Sequence, residues 1–255
     1  MPDNQINGVD FVLPFRFSEG AWQLGTRGPI SLRIAEVVNQ VTVKNIAADL
    51  QGAYPWSENN PLLLSDVSAD LLGGKIIMQQ LRMPQHDPAL LRVQNISSSE
   101  LISAVNPKQF AMSGPVSGAL PLWLDNEKWI IKDGWLTNLG PMTLRIDKDT
   151  ADAVVKDNMA AGAAINWLRY MEISHSWTKI NLDNLGVLTM QSTVTGNSRV
   201  DGKVGTVNLN YTHEENVFTL WRSLRFGDNL QAWLEQNAAL PETHCPEGKE
   251  CEEQQ

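Results

Sequence analysis

Apolar and polar positions alternate with a period of two along most of the chain. Residues 114–146, GPVSGALPLWLDNEKWIIKDGWLTNLGPMTLRI, show this best: Leu120, Leu122 and Leu124 alternate with Pro121, Trp123 and Asp125. After Asp125-Asn126 the apolar run resumes at Trp129, Ile130 and Ile131. Alternation broken by Asn, Asp and Gly predicts strand, turn, strand. A second turn is expected at Asp133-Gly134, and Gly140-Pro141 opens a further run of Met142, Leu144 and Ile146. Three or four antiparallel strands with minimal loops follow from this stretch, which offers an apolar face and has no His or Cys.

Similar runs flank it. The segment FVLPFRF at 11–17 is interrupted by Pro14, which favours an edge or a bulge. Ile30, Leu32 and Ile34 alternate with Ser31, Arg33 and Ala35; Val41 and Val43 come next, then Ile46, Ala48 and Leu50. The turn formers at 54–61, YPWSENNP, make the best candidate for a joint. Val67, Ala69 and Leu71 lead to Gly73-Gly74, a two-residue hairpin signal, and Ile76 and Met78 run away from it. Leu91 and Val93 continue the strands, and Ser97-Ser98-Ser99-Glu100 is a capping box that predicts a short helix over 101–105.

The period changes over 149–171. Val154, Ala161, Ala164, Ile165, Leu168 and Met171 recur at helical spacing, which predicts one longer amphipathic helix, placed to seal or border the apolar face. Strands return with Ile173, His175 and Trp177 expected on one face, then with Val187, Thr189 and Gln191 alternating against Leu188, Met190 and Ser192. Val207, Leu209 and Tyr211 follow the Asp201-Gly202 turn. Asn216 is expected to cap the first of two short C-terminal helices, one carrying Val217, Leu220 and Leu224, the other Leu230, Trp233 and Leu234. The expected organisation is a single mainly β domain over 1–240, an antiparallel meander with a few helices, and an acidic, mobile tail over 241–255. A meander leaves an open edge, which a second chain can extend by strand addition.

Composition narrows the function. At 255 residues the chain can bury a sizeable core. Its formal charge of −9 opposes a nucleic-acid phosphate backbone, so no nucleic-acid partner is expected. Nine Trp against three Tyr supply large amphipathic rings suited to a core or to a lipid-facing surface. No run of eighteen apolar residues is present, so no helical membrane span is expected. The polar start, Met1 to Gln5, lacks the regions of a signal peptide, so the chain reads as the C-terminal piece of something longer.

No motif marks a catalyst. His86, His175, His213 and His244 include no pair at the i, i+4 spacing of a helical zinc site, and neither Ser113 nor Ser117 stands in G-x-S-x-G. A non-enzymatic protein without cofactor or metal is expected, with a hydrolase assembled in space as the weakest alternative. Cys245 and Cys251 bracket PEGKE, a loop that a disulfide closes in an oxidising compartment. A metal would need more ligands than two thiols and His244.

The run SGPVSGALPLWLDNEKWIIKDGWLTNLGPMTLRI, the segment after it and the late run GTVNLNYTHEENVFTLWRSLRF resemble the C-terminal region of the YdbH-like branch of the AsmA-like and TamB-like bridge proteins of Gram-negative bacteria. The resemblance rests on the order of G-x-L-P-L, D-G and N-Y/F motifs and covers nearly the whole chain. It implies an elongated, curved sheet whose concave side is a hydrophobic groove that conducts phospholipid acyl chains across the periplasm. It also implies an inner-membrane anchor upstream, absent from these residues, and strand addition by a small outer-membrane lipoprotein, YnbE. An older label for the region, dicarboxylate transport, finds no basic pocket or anion motif in this sequence.

Leu120, Leu122, Leu124, Met142, Leu144, Ile146, Leu188, Met190, Val207 and Leu209 are the groove-facing candidates. Exposing an acyl chain to water costs about 0.8 kcal/mol per methylene, so a carrier must line its route with apolar wall. The competing expectation is a scaffold that recruits the lipoprotein through its sheet edge and packs the same side chains into a closed core.

Overall fold

The computed structural model describes residues 5–38, 41–105, 110–148, 168–200 and 202–218. The chain divides into two units, Met1–Glu214 and Glu215–Gln255. The expected boundary at 240, the tail, Cys245, Cys251 and all but the first residues of the C-terminal helices lie outside the described residues. So does most of the helix expected over 149–171. Its last two residues, Tyr170 and Met171, open a strand instead.

The strands are β1 (Gln5–Val12), β2 (Phe15–Ser18), β3 (Ala21–Leu24), β4 (Ile30–Val38), β5 (Val43–Tyr54), β6 (Leu62–Leu71), β7 (Gly74–Met83) and β8 (Ala89–Ser97). After α1 (Ser98–Val105) come β9 (Phe110–Ser113), β10 (Pro115–Leu122), β11 (Trp129–Asn138), β12 (Met142–Ile146), β13 (Tyr170–Asp183), β14 (Val187–Val200) and β15 (Lys203–Asn216). All of them belong to one antiparallel sheet that does not close. Its order follows the chain from β4 to β8, then β10, β11, β13, β14 and β15. β1 lies along β4, and the β2–β3 hairpin occupies the end of β5 that β4 leaves free. The expected meander is present.

Two long strands are interrupted without reversing. Gly114 separates β9 from β10, and residues 139–141 separate β11 from β12, yet β11 and β12 both run antiparallel to β13. Gly140-Pro141 is thus a break within one line. Asp133-Gly134, expected to be a turn, is a bulge inside β11. At the β6–β7 hairpin the turn residues are Leu72 and Gly73, both at positive φ, and Gly74 already pairs with Leu71. Ser97 caps α1 as expected, its hydroxyl accepting the Glu100 N–H at 3.3 Å.

The bulges explain how one face stays apolar. Register shifts fall at Asn45 and Asp66 between β5 and β6, at Asn95 between β8 and β10, and at Asp133 between β11 and β13. These four residues have φ of 50°, 51°, 53° and 56°, a region that Asn and Asp enter more readily than other side chains. An extra residue would turn every later side chain to the other face, and the apolar series compensates by stepping three positions in place of two. It passes from Val43 to Ile46, from Leu64 to Val67, from Val93 to Ile96 and from Ile131 to Gly134. The bulge backbone is held by side chains: the Ser117 hydroxyl accepts the Asn95 N–H, and the Asn181 carbonyl accepts the Asp133 N–H, both at 2.8 Å.

Buried residues form two clusters on this face. Met78, Leu81, Met83 and Ala89 pack with Leu62, Leu64, Val67, Leu91 and Leu122. Met142, Met171 and Ile173 pack with Met112, Val116, Leu144, Leu168, Val194 and Val207. The opposite face is polar: Lys44–Glu36 at 3.4 Å and Lys75–Asp70 at 3.8 Å join neighbouring strands, with Arg33–Asp49 and Lys179–Asp133 both at 2.7 Å. Among the described elements, extensive contacts are made between sheet neighbours and by α1 against β8 and β9.

Candidate functional site

Cross-strand register assembles the apolar face in rows. Leu120 stands beside Leu91, which faces Met78, which faces Val67. Leu122 faces Ile131, then Leu182, then Leu188. Ile180 faces Met190. Further along β13, Leu144 pairs with Met112 on one side and Met171 on the other, while Met142 pairs with Ile173. Side-chain hydrogen bonds from Thr195 to Asn208 and from Thr206 to Asn197 set β15 against β14. This leaves Val207 and Leu209 on the apolar side, and Val207 packs in the second cluster.

Nine of the ten candidate residues therefore share one face: Leu120, Leu122, Met142, Leu144, Ile146, Leu188, Met190, Val207 and Leu209. Leu124 is placed elsewhere. It lies in the turn after β10, is 59% exposed, and donates its backbone N–H to the Gln85 side chain at 2.6 Å. The alternation carries to Leu122 and stops, because residues 123–128 turn back toward β11.

The face also contains residues that the alternation did not single out. Ile173 was expected beside His175 and Trp177, but a register shift between Ile173 and His175 separates them. Ile173 is buried, His175 and Trp177 are exposed, and Ile180 and Leu182 continue the apolar side. Trp177 stacks on Trp135 across the polar face, with ring centroids 4.9 Å apart. Met171, assigned by its spacing to a helix, is the most deeply buried member of the second cluster. The cue was the alternation of Met171, Ile173, Ile180 and Leu182, shifted by one residue near Ser174.

A polar strip crosses the apolar face between the clusters. Asn138 donates to the carbonyls of Gly140 at 2.7 Å and Ser174 at 3.3 Å, and its own carbonyl accepts from the Ser176 N–H at 2.6 Å and hydroxyl at 3.0 Å. Thr178 and Ser192 bond each other at 2.9 Å. The strip satisfies itself and presents no free acceptor or donor from the Asn138 amide.

Shifted titrations lie away from this face. Arg33 holds the Asp49 carboxyl below the usual range against the opposing effect of its burial. Lys179 does the same for Asp133, and His86 followed by Arg82 for Glu58 in the loops at one end of the strands. Among the described residues no group of three or more His, Cys, Asp or Glu could hold a metal ion. No described helix is long and apolar enough to cross a membrane.

Fold and surface together define a single-sheet β protein whose apolar side chains are gathered on one face. The profile of the YdbH-like family, described as "Intermembrane phospholipid transport protein YdbH", matches residues 1–239, and the chain belongs to that family. It is 80% identical over all 255 residues to the "Probable phospholipid transport protein YdbH" of Escherichia coli (strain K12), and spans 29% of that relative's length. No solved structure matches the chain.

Proposed function

We propose that the apolar face is a groove wall that conducts phospholipid acyl chains between the inner and outer membranes, across the periplasm, without catalysis. The observation that carries this reading is the coincidence of bulge and sequence. At four bulges the apolar series steps three positions in place of two, so that rows such as Leu122, Ile131, Leu182 and Leu188 stay aligned. A sheet that needed only a local core would not require this over so many strands. Family membership supports the reading, since the relative carries phospholipid transport in its name.

The lining is Leu120, Leu122, Met142, Leu144, Ile146, Leu188, Met190, Val207 and Leu209. In the longer protein an N-terminal anchor would hold the inner membrane, and the lipoprotein YnbE would add strands at the open edge of the sheet. The competing reading, a scaffold with a closed core, draws on the packing of Met171 and Met142. Photo-crosslinkers at Leu122 and Leu144, in cells making the full-length protein, test the two. The groove reading expects phospholipid adducts at both positions. Protein-only adducts at both would leave the scaffold.

A further inference from the structure

Methionine falls on one side of this sheet. Met78 and Met83 stand in the first apolar cluster, Met112, Met142 and Met171 in the second, and Met190 faces Ile180 across β13 and β14. All six methionines of the described residues therefore lie on the apolar face. Met78, Met83, Met142 and Met171 are buried. Met112 and Met190 are half-buried, within reach of a small solute.

The surroundings of these two differ. Met112 pairs with Leu144 and packs within the second cluster. Met190 stands on β14 between Leu188 and Ser192, the neighbours on its own face. Leu188 faces Leu182 in the row that runs back to Ile131 and Leu122, whereas Ser192 faces Thr178 in the polar strip. Met190 and Ile180 thus form the single row between the strip and the leucine row. The Thr178 and Ser192 hydroxyls bond each other at 2.9 Å, which uses one of their two protons. The other proton rotates to suit whatever acceptor is near. Thr178 is the diagonal cross-strand neighbour of Met190, a separation that a long unbranched side chain spans.

Of the two side chains in that boundary row, only the thioether can be made polar. A hydroperoxide does so in one step. The sulfur lone pair attacks the terminal peroxide oxygen, the O–O bond breaks and an S–O bond forms. The other oxygen leaves as water or an alcohol, taking the proton of the transferred oxygen; sulfur loses two electrons and the peroxide gains them. The sulfoxide so formed is polar and chiral where the thioether was flexible and apolar. We propose that Met190 is an oxidation switch on the floor of the lipid path. As a thioether it belongs to the apolar wall. As a sulfoxide it accepts the remaining hydroxyl proton of Thr178 or Ser192, widens the polar strip by one row and hinders acyl chains from crossing β14. A methionine sulfoxide reductase restores the wall. The switch rests on the groove reading above and adds a control point within it.

The test treats the 255-residue chain with hydrogen peroxide and maps the products by mass spectrometry. Lipid capture from phosphatidylcholine vesicles is then read at a photo-crosslinker in place of Leu188. Met190 should be oxidised at least about tenfold faster than Met171, which has no exposed surface. Once Met190 is fully converted, capture should fall about tenfold, near the low end of what covering a strong acceptor with hydrocarbon costs. Treatment with the reductase should return it to its starting value. In Met190→Leu, compared with itself before and after peroxide, capture should not change. Oxidation of Met190 no faster than that of Met171 overturns the site. Full conversion that leaves capture unchanged overturns the switch and leaves the groove reading standing. A loss in Met190→Leu as large as in the parent assigns the effect to another oxidised residue and rejects Met190. No capture by the untreated parent overturns the groove reading and the switch with it.

Discussion

Replacing Met171 by Ala separates a packed cluster from an open wall. Met171 is 0% exposed, between Leu144 on β12 and Ser198 on β14, and its terminal methyl fills the space above Gly196. Truncation removes everything beyond Cβ and leaves a gap that Met142 and Ile173, held by their own strands, cannot close. Buried Met-to-Ala changes cost about 2–5 kcal/mol, and the upper half of that range requires a rigid cavity, so about 2–4 kcal/mol is expected at this strand end. Against a total stability of about 5–15 kcal/mol this is a large loss. Leu122 sits on the same face but remains partly exposed, so Leu122→Ala should cost about 1 kcal/mol or less. Urea unfolding followed by tryptophan fluorescence and far-ultraviolet circular dichroism measures both, with unchanged m values as the check that the denatured state is the same. Equal costs at the two positions would mean that the wall at Leu122 is sealed, contrary to the groove reading. A loss under about 0.5 kcal/mol at Met171 would show that the second cluster is not packed.

Gly118→Ala places a Cβ against the Trp135 carbonyl oxygen and should lower the melting temperature by several degrees or prevent folding, while Gly140→Ala, with open space around it, should change stability by less than about 0.5 kcal/mol; equal melting curves would refute the close approach of β10 and β11. The Asp49 carboxyl is held below its usual range by Arg33, so its contribution is present above the unfolded value near pH 4 and is lost as pH falls through the lower folded value. The urea midpoint of the parent should therefore exceed that of Asp49→Asn at neutral pH, and the two should converge below about pH 4; a gap that widens in acid would reverse the assignment.

Much of the sheet was legible because each buried side chain had to recur every second residue, and the turns between strands used Asn, Asp and Gly. The same residues also hid part of it. Asp133-Gly134 has the composition of a hairpin turn, yet the chain runs straight on, because Asp133 is a single inserted residue at positive φ within a ladder that continues on both sides, which makes a bulge. The signal that distinguishes them is what comes next: Leu136 resumes the apolar face with the phase shifted, and no new strand begins. Leu124 illustrates the converse error, since alternation extended past Leu122 has no means of knowing that the ladder ends there. Met171 was misassigned because it continues at helical spacing from Leu168, which is helical, and only its pairing with Leu144 and Ser198 shows that the strand has begun.

The polar strip through Asn138 bears on how such a face could let a chain pass. A buried amide with an unmade hydrogen bond would offer any passing ester or phosphate a partner worth about 1–3 kcal/mol, enough to hold it. Here the Asn138 amide is consumed by Gly140, Ser174 and Ser176, at the point where the break between β11 and β12 leaves ladder groups to be satisfied. The strip repairs the backbone and gives the surface little polarity. A sliding acyl chain would meet methyl and methylene groups on either side and no fixed donor between them. Under the groove reading, the floor would therefore be smooth between the two clusters.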